Sequence, residues 1–161
     1  MKSLSHYKLF TIIILFIFSC QNEPITCDVL IYNGIVYDGT GEPPYLGSVG
    51  ITDDKITYVG KNTRFEADTI IDATNLSISP GFINMLSWGY SSLMEDGRSL
   101  SDLKQGVTLE VFGEGVSPGP YVKEGERFSL KYAMEALENS GVSTNIASFL
   151  GATTARVIEV G

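Results

Sequence analysis

The 161 residues include 43 % apolar side chains and carry a formal charge of −8, enough for one ordinary domain with a core. Nineteen Asp and Glu stand against eleven Lys and Arg. No Lys/Arg run occurs, which argues against a nucleic-acid partner, because phosphate recognition needs clustered cations. The acidity favours solubility and says little about a substrate.

The first 20 residues read as a targeting segment rather than as fold. Lys2 and Lys8 make a basic start, and residues 9–18 (LFTIIILFIF) are apolar except at Thr11. That run has the length of a signal-peptide core and is short for a bilayer span. Ile17-Phe18-Ser19-Cys20 follows and resembles a bacterial lipobox, in which Cys20 takes lipid and becomes the new N-terminus. Phe18 stands where that motif usually has a small residue. A plain secretory signal or a short anchor is the other reading. Gln21 does not resemble an inner-membrane retention signal. The expectation is a lipid-anchored protein of the cell envelope, at the outer membrane of a Gram-negative bacterium, facing the periplasm or the surface. Cleavage before Cys20 removes His6, the only histidine, and leaves nine Lys and Arg (eleven less Lys2 and Lys8). Cys27 then has no partner for a disulfide and is expected to be a small buried residue at a strand start.

Residues 21–27 read as a polar tether. Residues 28–38 (DVLIYNGIVYD) alternate apolar and polar positions around Asn33-Gly34, a strong hairpin signal. A Gly/Pro loop (39–47) precedes strands at 48–51 and 56–60, joined by the turn TDDK. Two more short strands, 67–72 and 76–79, complete a run of antiparallel strands over 28–79.

The pattern changes after Pro80-Gly81. Residues 82–85 are a short apolar run. A helical segment is expected in the second half of 93–105, capped by Ser99 or Ser101 and ended by Gly106. Residues 107–112 (VTLEVF) form a β-branched strand, and 113–125 a loop rich in Gly and Pro. A helix is expected over 129–139, with Leu130, Ala133, Met134 and Leu137 on one stripe, Ser129 as N-cap and Gly141 as stop. Residues 144–150 are the next strand. Strand, helix, strand, helix, strand implies parallel β/α units.

An antiparallel β-module feeding β/α units, together with DVLIYNGIVYDGTGEPP (28–44), ITDDKITYVG (51–60), IIDATNLSISPGFIN (70–84), GVTLEVFGEG (106–115) and FLGATTAR (149–156), resembles the amidohydrolase superfamily. Within it the likeness is to the N-acyl-D-amino-acid deacylases, or D-aminoacylases. The resemblance implies an α/β fold: residues 28–79 as part of a composite β-sandwich, and 80–161 as the first units of a TIM-like (β/α)8 metal-dependent hydrolase barrel. It implies one or two divalent metals, usually zinc, whose bound hydroxide attacks an amide or related carbonyl. It also implies a small-molecule substrate of the N-acyl amino acid kind.

The sequence departs from that family at the metal positions. After Pro80-Gly81-Phe82-Ile83, the usual Asp-x-His-x-His would fall on Asn84, Met85, Leu86, Ser87 and Trp88. Alternate strand residues point the same way, so two such histidines would reach one ion; Leu86 and Trp88 cannot. The deacylases' Asn-Cys-Gly turn is replaced by Gly113-Glu114-Gly115, where Glu114 is either a carboxylate ligand or a solvated loop residue. Trp88 is either a stacking surface for substrate or a filler of the space left by the missing histidines. A whole barrel takes about 250 residues, so the 161 residues are expected to be a fragment or a truncated product, inactive alone. The remaining ligands and the catalytic aspartate would lie past residue 161.

Other chemistry is poorly supported. The stretch 113–121 lacks the Gly-Lys-Ser/Thr end of a phosphate loop, and GTGEPP (39–44) does not open a helix. A serine triad has no histidine to serve as base. Asp53-Asp54 is a turn pair without the spaced acids of a calcium loop. Glu95, Asp96, Glu124 and Glu126 read as solvated acids. Glu110, inside VTLEVF, is expected on a barrel side with Thr108 and Phe112, bound to metal, paired with Arg98 or solvated. The expected function is hydrolysis of a carbon–nitrogen (non-peptide) bond by a lipid-anchored amidohydrolase. The alternative is a non-catalytic lipoprotein that kept the scaffold for binding.

Overall fold

A computed structural model describes residues 24–61 and 64–161. The targeting segment, His6, the lipobox with Cys20, and residues 21–23 of the tether lie outside the described residues. The chain divides into two compact units between Pro80 and Gly81.

The first unit is one sheet of β1 (Ile25–Val36), β2 (Tyr45–Thr52), β3 (Lys55–Gly60), β4 (Phe65–Asp72) and β5 (Ser77–Ile78). The order is β3-β2-β1-β4, with β5 pairing with β1 beyond the end of β4. Residues 25–27, expected as tether, are strand, in register with Phe65, Glu66 and Ala67. Cys27 is buried with Leu30, Val36, Val49 and Ala73, as expected for a small side chain at a strand start.

Two expectations for this unit are corrected. The strands are not all antiparallel: β1 pairs antiparallel with β2 but parallel with β4 and β5. Alternation fixes which face a side chain takes and carries no information on strand direction. Nor does Asn33-Gly34 turn a hairpin. β1 runs through it, with a register shift between Ile31 and Gly34. Asn33 has φ 60° while Gly34 has no positive φ. A two-residue hairpin turn of the favoured kind needs φ > 0 at both centres, so a single left-handed residue makes a bulge instead. Gly34 is required for another reason: a Cβ there would overlap the side chain of Ile78.

The second unit carries a parallel sheet ordered β10-β7-β6, from β6 (Phe82–Asn84), β7 (Val107–Phe112) and β10 (Asn145–Ser148). Helices α1 (Tyr90–Glu95), α2 (Leu100–Leu103), α3 (Leu130–Ser140) and α4 (Ala152–Glu159) accompany it. The strand–helix–strand order and parallel pairing agree with the sequence reading. In α3 the Ser129 side chain accepts the Tyr132 N–H at 3.1 Å and Gly141 follows the last turn at φ 83°. Leu137 of α3 packs with Leu93 of α1 and Phe112 of β7 to form the core.

The segment 93–105 behaves differently from expectation. Its longer helix is at the start, in α1, while the second half holds only the one-turn α2. Ser99 precedes α2 in the left-handed region (φ 45°, ψ 40°) without a side-chain cap bond, because its hydroxyl is used elsewhere. The glycine-rich stretch 113–125 is not wholly loop. Its end enters a hairpin of β8 (Tyr121–Lys123) and β9 (Glu126–Phe128), turned by Glu124 and Gly125 at φ 54° and 83°. Here both central residues meet the sign requirement that Asn33-Gly34 does not.

Candidate functional site

The candidate site lies at the carboxyl ends of β6 and β7, the edge where parallel sheets present ligand-binding groups. Beyond β6, Asn84 Oδ1 accepts the Leu86 N–H at 3.2 Å, and the Ser87 N–H donates to the Val111 carbonyl at 3.0 Å. The segment thus stays attached to β7. Ser87 is 8 % exposed, while its neighbours Leu86 and Trp88 are 53 % and 67 % exposed. β6 ends at Asn84 and Met85 is 54 % exposed like Leu86, so residues 85–88 do not continue the strand alternation that the family resemblance implies for these positions.

Beyond β7, Gly113 has φ 89° and Gly115 φ 85°. A Cβ on Gly113 would run into the Phe149 carbonyl, so the turn lies close against the end of β10. The loop is then tied to the start of α4. Gly115 carbonyl accepts the Thr153 N–H at 2.9 Å, Thr154 Oγ1 accepts the Ser117 N–H at 2.8 Å, and Ser117 Oγ accepts the Gly151 N–H at 3.0 Å. Glu114 is exposed between the two glycines and its side chain has no partner among the described residues.

Glu110 corrects the reading made from the strand pattern. It shares the side of Phe112, and that side packs on α1 and α3. It is only 2 % exposed. Arg98 does not reach it; Arg98 instead holds exposed Asp96 through Nε at 2.8 Å and Nη2 at 2.7 Å. The Glu110 carboxylate accepts three hydroxyls: Ser87 Oγ at 2.7 Å on Oε2, and Ser99 Oγ at 2.7 Å and Thr144 Oγ1 at 3.1 Å on Oε1. Burying a charge is costly unless its acceptor sites are filled, and here hydroxyls fill them. No sequence signal marked these partners, which come from three separate segments. A cleft of about 260 Å³ beside Glu110 is also lined by Ser92, Asp96, Ser99 and Asp102. The Arg98 guanidinium and the neighbouring N–H hold the Asp96 carboxyl down at about 2.

The donor set does not fit the metal that the family resemblance implies. Leu86 and Trp88 offer no ligand atom, and Glu114 is a single carboxylate. No grouping of three or more His, Cys, Asp or Glu side chains able to hold a metal occurs among the described residues. What the segment presents chemically is an exposed indole face, an aliphatic side chain and a solvated carboxylate.

No family model matches the chain. It is 28 % identical over 153 residues to a D-aminoacylase of Alcaligenes xylosoxydans xylosoxydans, covering 84 % of this chain and 31 % of the relative. An N-acyl-D-glutamate deacylase of the same organism is 31 % identical over 132 residues, covering 80 % of this chain and 26 % of the relative. Among solved structures, N-acyl-D-glutamate deacylase from Bordetella bronchiseptica, complexed with zinc and a phosphonate inhibitor, superposes at TM-score 0.71 with 26 % identity over 83 % of this chain and 31 % of that one. A D-aminoacylase studied for its binuclear metal centre gives TM-score 0.71 with 28 % identity, over 81 % of this chain and 31 % of that one. The chain spans between a quarter and a third of the length of these relatives. Over that matched part, it belongs with the D-aminoacylases and N-acyl-D-amino-acid deacylases of the amidohydrolase superfamily.

Proposed function

We propose that the protein is a lipid-anchored hydrolase of the D-aminoacylase kind, opening a carbon–nitrogen (non-peptide) bond in small N-acyl-D-amino-acid-like molecules. The observation that carries the reading is the joint agreement in sequence and fold with deacylases over four-fifths of the chain. In this reading the sheet of the first unit belongs to a composite β-sandwich, and β6, β7 and β10 are strands of a TIM-like barrel. The described residues do not by themselves complete a metal site. The 161-residue chain by itself is expected to lack hydrolase activity.

A second reading is a non-catalytic envelope lipoprotein that uses the same scaffold to bind. The apolar pair Leu86 and Trp88 at the positions of metal ligands favours it. The test uses the protein extracted from its own membranes, incubated with N-acetyl-D-glutamate and other N-acetyl-D-amino acids, with and without added zinc. Release of free amino acid supports the hydrolase. Saturable binding without turnover supports the binding lipoprotein. Neither result leaves both readings without support.

The anchor is tested separately. Residues 9–20 carry this part of the proposal. Wild type is expected in the membrane fraction, at the outer membrane, with a lipid-sized mass increment on the peptide that starts at Cys20. Cys20→Ala is expected to lose both. Membrane retention of Cys20→Ala without the increment would point to an uncleaved anchor instead.

A further inference from the structure

We infer that Glu110 is the positioning residue of segment 84–89 and fixes the surface formed by Leu86 and Trp88. This goes beyond the proposed activity and holds whichever of its readings is right. Ser87, between the two exposed residues, is held to β7 twice. Its N–H donates to the Val111 carbonyl at 3.0 Å, and its hydroxyl donates to Glu110 Oε2 at 2.7 Å. The same hydroxyl accepts the Gly89 N–H at 3.1 Å. Trp88 therefore lies between two anchored residues. Ser87 is buried with its hydroxyl on the carboxylate, while Leu86 and Trp88 on either side of it are exposed.

The other carboxylate oxygen makes the position well defined. Glu110 Oε1 accepts Ser99 ahead of α2 and Thr144 ahead of β10. The segment is thereby referenced to three parts of the unit at once. Ser99 adopts a left-handed backbone and gives up side-chain capping of α2 while its hydroxyl binds the carboxylate. At Gly89 a Cβ would stand 3.0 Å from Glu110 Oε2, in tight contact with the same carboxylate. A neutral apolar side chain at 110 would leave three buried hydroxyls without their acceptor. Any small molecule meeting Leu86 and Trp88 meets a surface set from beneath by a residue it does not touch.

Trp88 is the sole tryptophan of the 161 residues, so the emission and steady-state anisotropy of this 161-residue chain report the segment directly. Glu110→Leu and Ser87→Ala are each expected to lower Trp88 anisotropy with far-UV circular dichroism retained. The double variant should fall no further than Glu110→Leu alone. Glu110→Gln should restore most of the anisotropy, because its amide oxygen still accepts and its amide hydrogens can donate to hydroxyls. A lowered melting temperature for Glu110→Leu with unchanged Trp88 anisotropy would overturn the inference. Should Glu110→Leu not fold, Ser87→Ala decides alone: reduced anisotropy upholds the positioning role, and parental anisotropy in a folded protein overturns it.

Discussion

Glu110 and Trp88 occupy reversed environments. The charged side chain is 2 % exposed and the large aromatic one is 67 % exposed, opposite to what transfer free energies favour for each. The two are linked through one residue, Ser87. Glu110 is tolerated because three hydroxyls replace water around its carboxylate. Trp88 stands exposed beside Ser87, which turns inward to supply one of them. The general point is that a buried polar group acts on its surroundings: satisfying it holds the segments that supply its partners.

Four substitutions can break or sharpen this contrast. The largest loss is expected from Leu137→Ala in the core of the second unit, where Leu137 is 0 % exposed; truncation there should cost about 3 kcal/mol. Urea denaturation measures it, and a value under about 1 kcal/mol would mean the Leu93–Phe112–Leu137 cluster is not the core of that unit. Glu110→Leu follows at about 2 kcal/mol, from three hydroxyls left without an acceptor, partly offset by lifting the burden of a buried charge. A stabilised Glu110→Leu would show that this burden outweighs the hydroxyl bonds.

Trp88→Ala should change stability by less than about 0.5 kcal/mol, because an exposed side chain away from a cap or network contributes little. The same variant should weaken binding of N-acetyl-D-amino acids if the indole face is used; unchanged affinity would leave Trp88 a space filler. Arg98→Ala gives the smallest effect. Asp96 should rise from about 2 towards the ordinary 3.8, read by NMR titration of its carboxyl. A carboxyl held low when folded adds stability that is complete above the ordinary value and is lost as pH falls towards about 2. The pair is exposed and screened by solvent, so this contribution, and its loss at neutral pH in Arg98→Ala, should be small.

Much of the second unit was legible in the sequence. The limits of β7 and α3, the Ser129 cap and the Gly141 stop follow from β-branched content, a 3.6-residue stripe and capping chemistry, all local. The first unit was less legible at two points. Asn33-Gly34 has hairpin composition, yet only Asn33 adopts the needed sign of φ, and its pairing is decided by β2, β4 and β5. At the candidate site, the reading of positions 86 and 88 as apolar replacements of metal ligands rests on the family resemblance alone. The burial of Glu110 was not legible, because its hydroxyl partners lie 11, 23 and 34 residues away.

The sequence by itself determined the strand at 107–112, the helix with its Ser129 cap and Gly141 stop, and the family that the chain resembles. These depend on residue type, period and spacing, which are properties of short windows. Only the tertiary structure decided strand direction in the first sheet, the bulge at Asn33, and the placement of Glu110 among Ser87, Ser99 and Thr144. Each of those depends on which distant backbone and hydroxyl groups satisfy a local donor or acceptor, and that is settled when the segments pack.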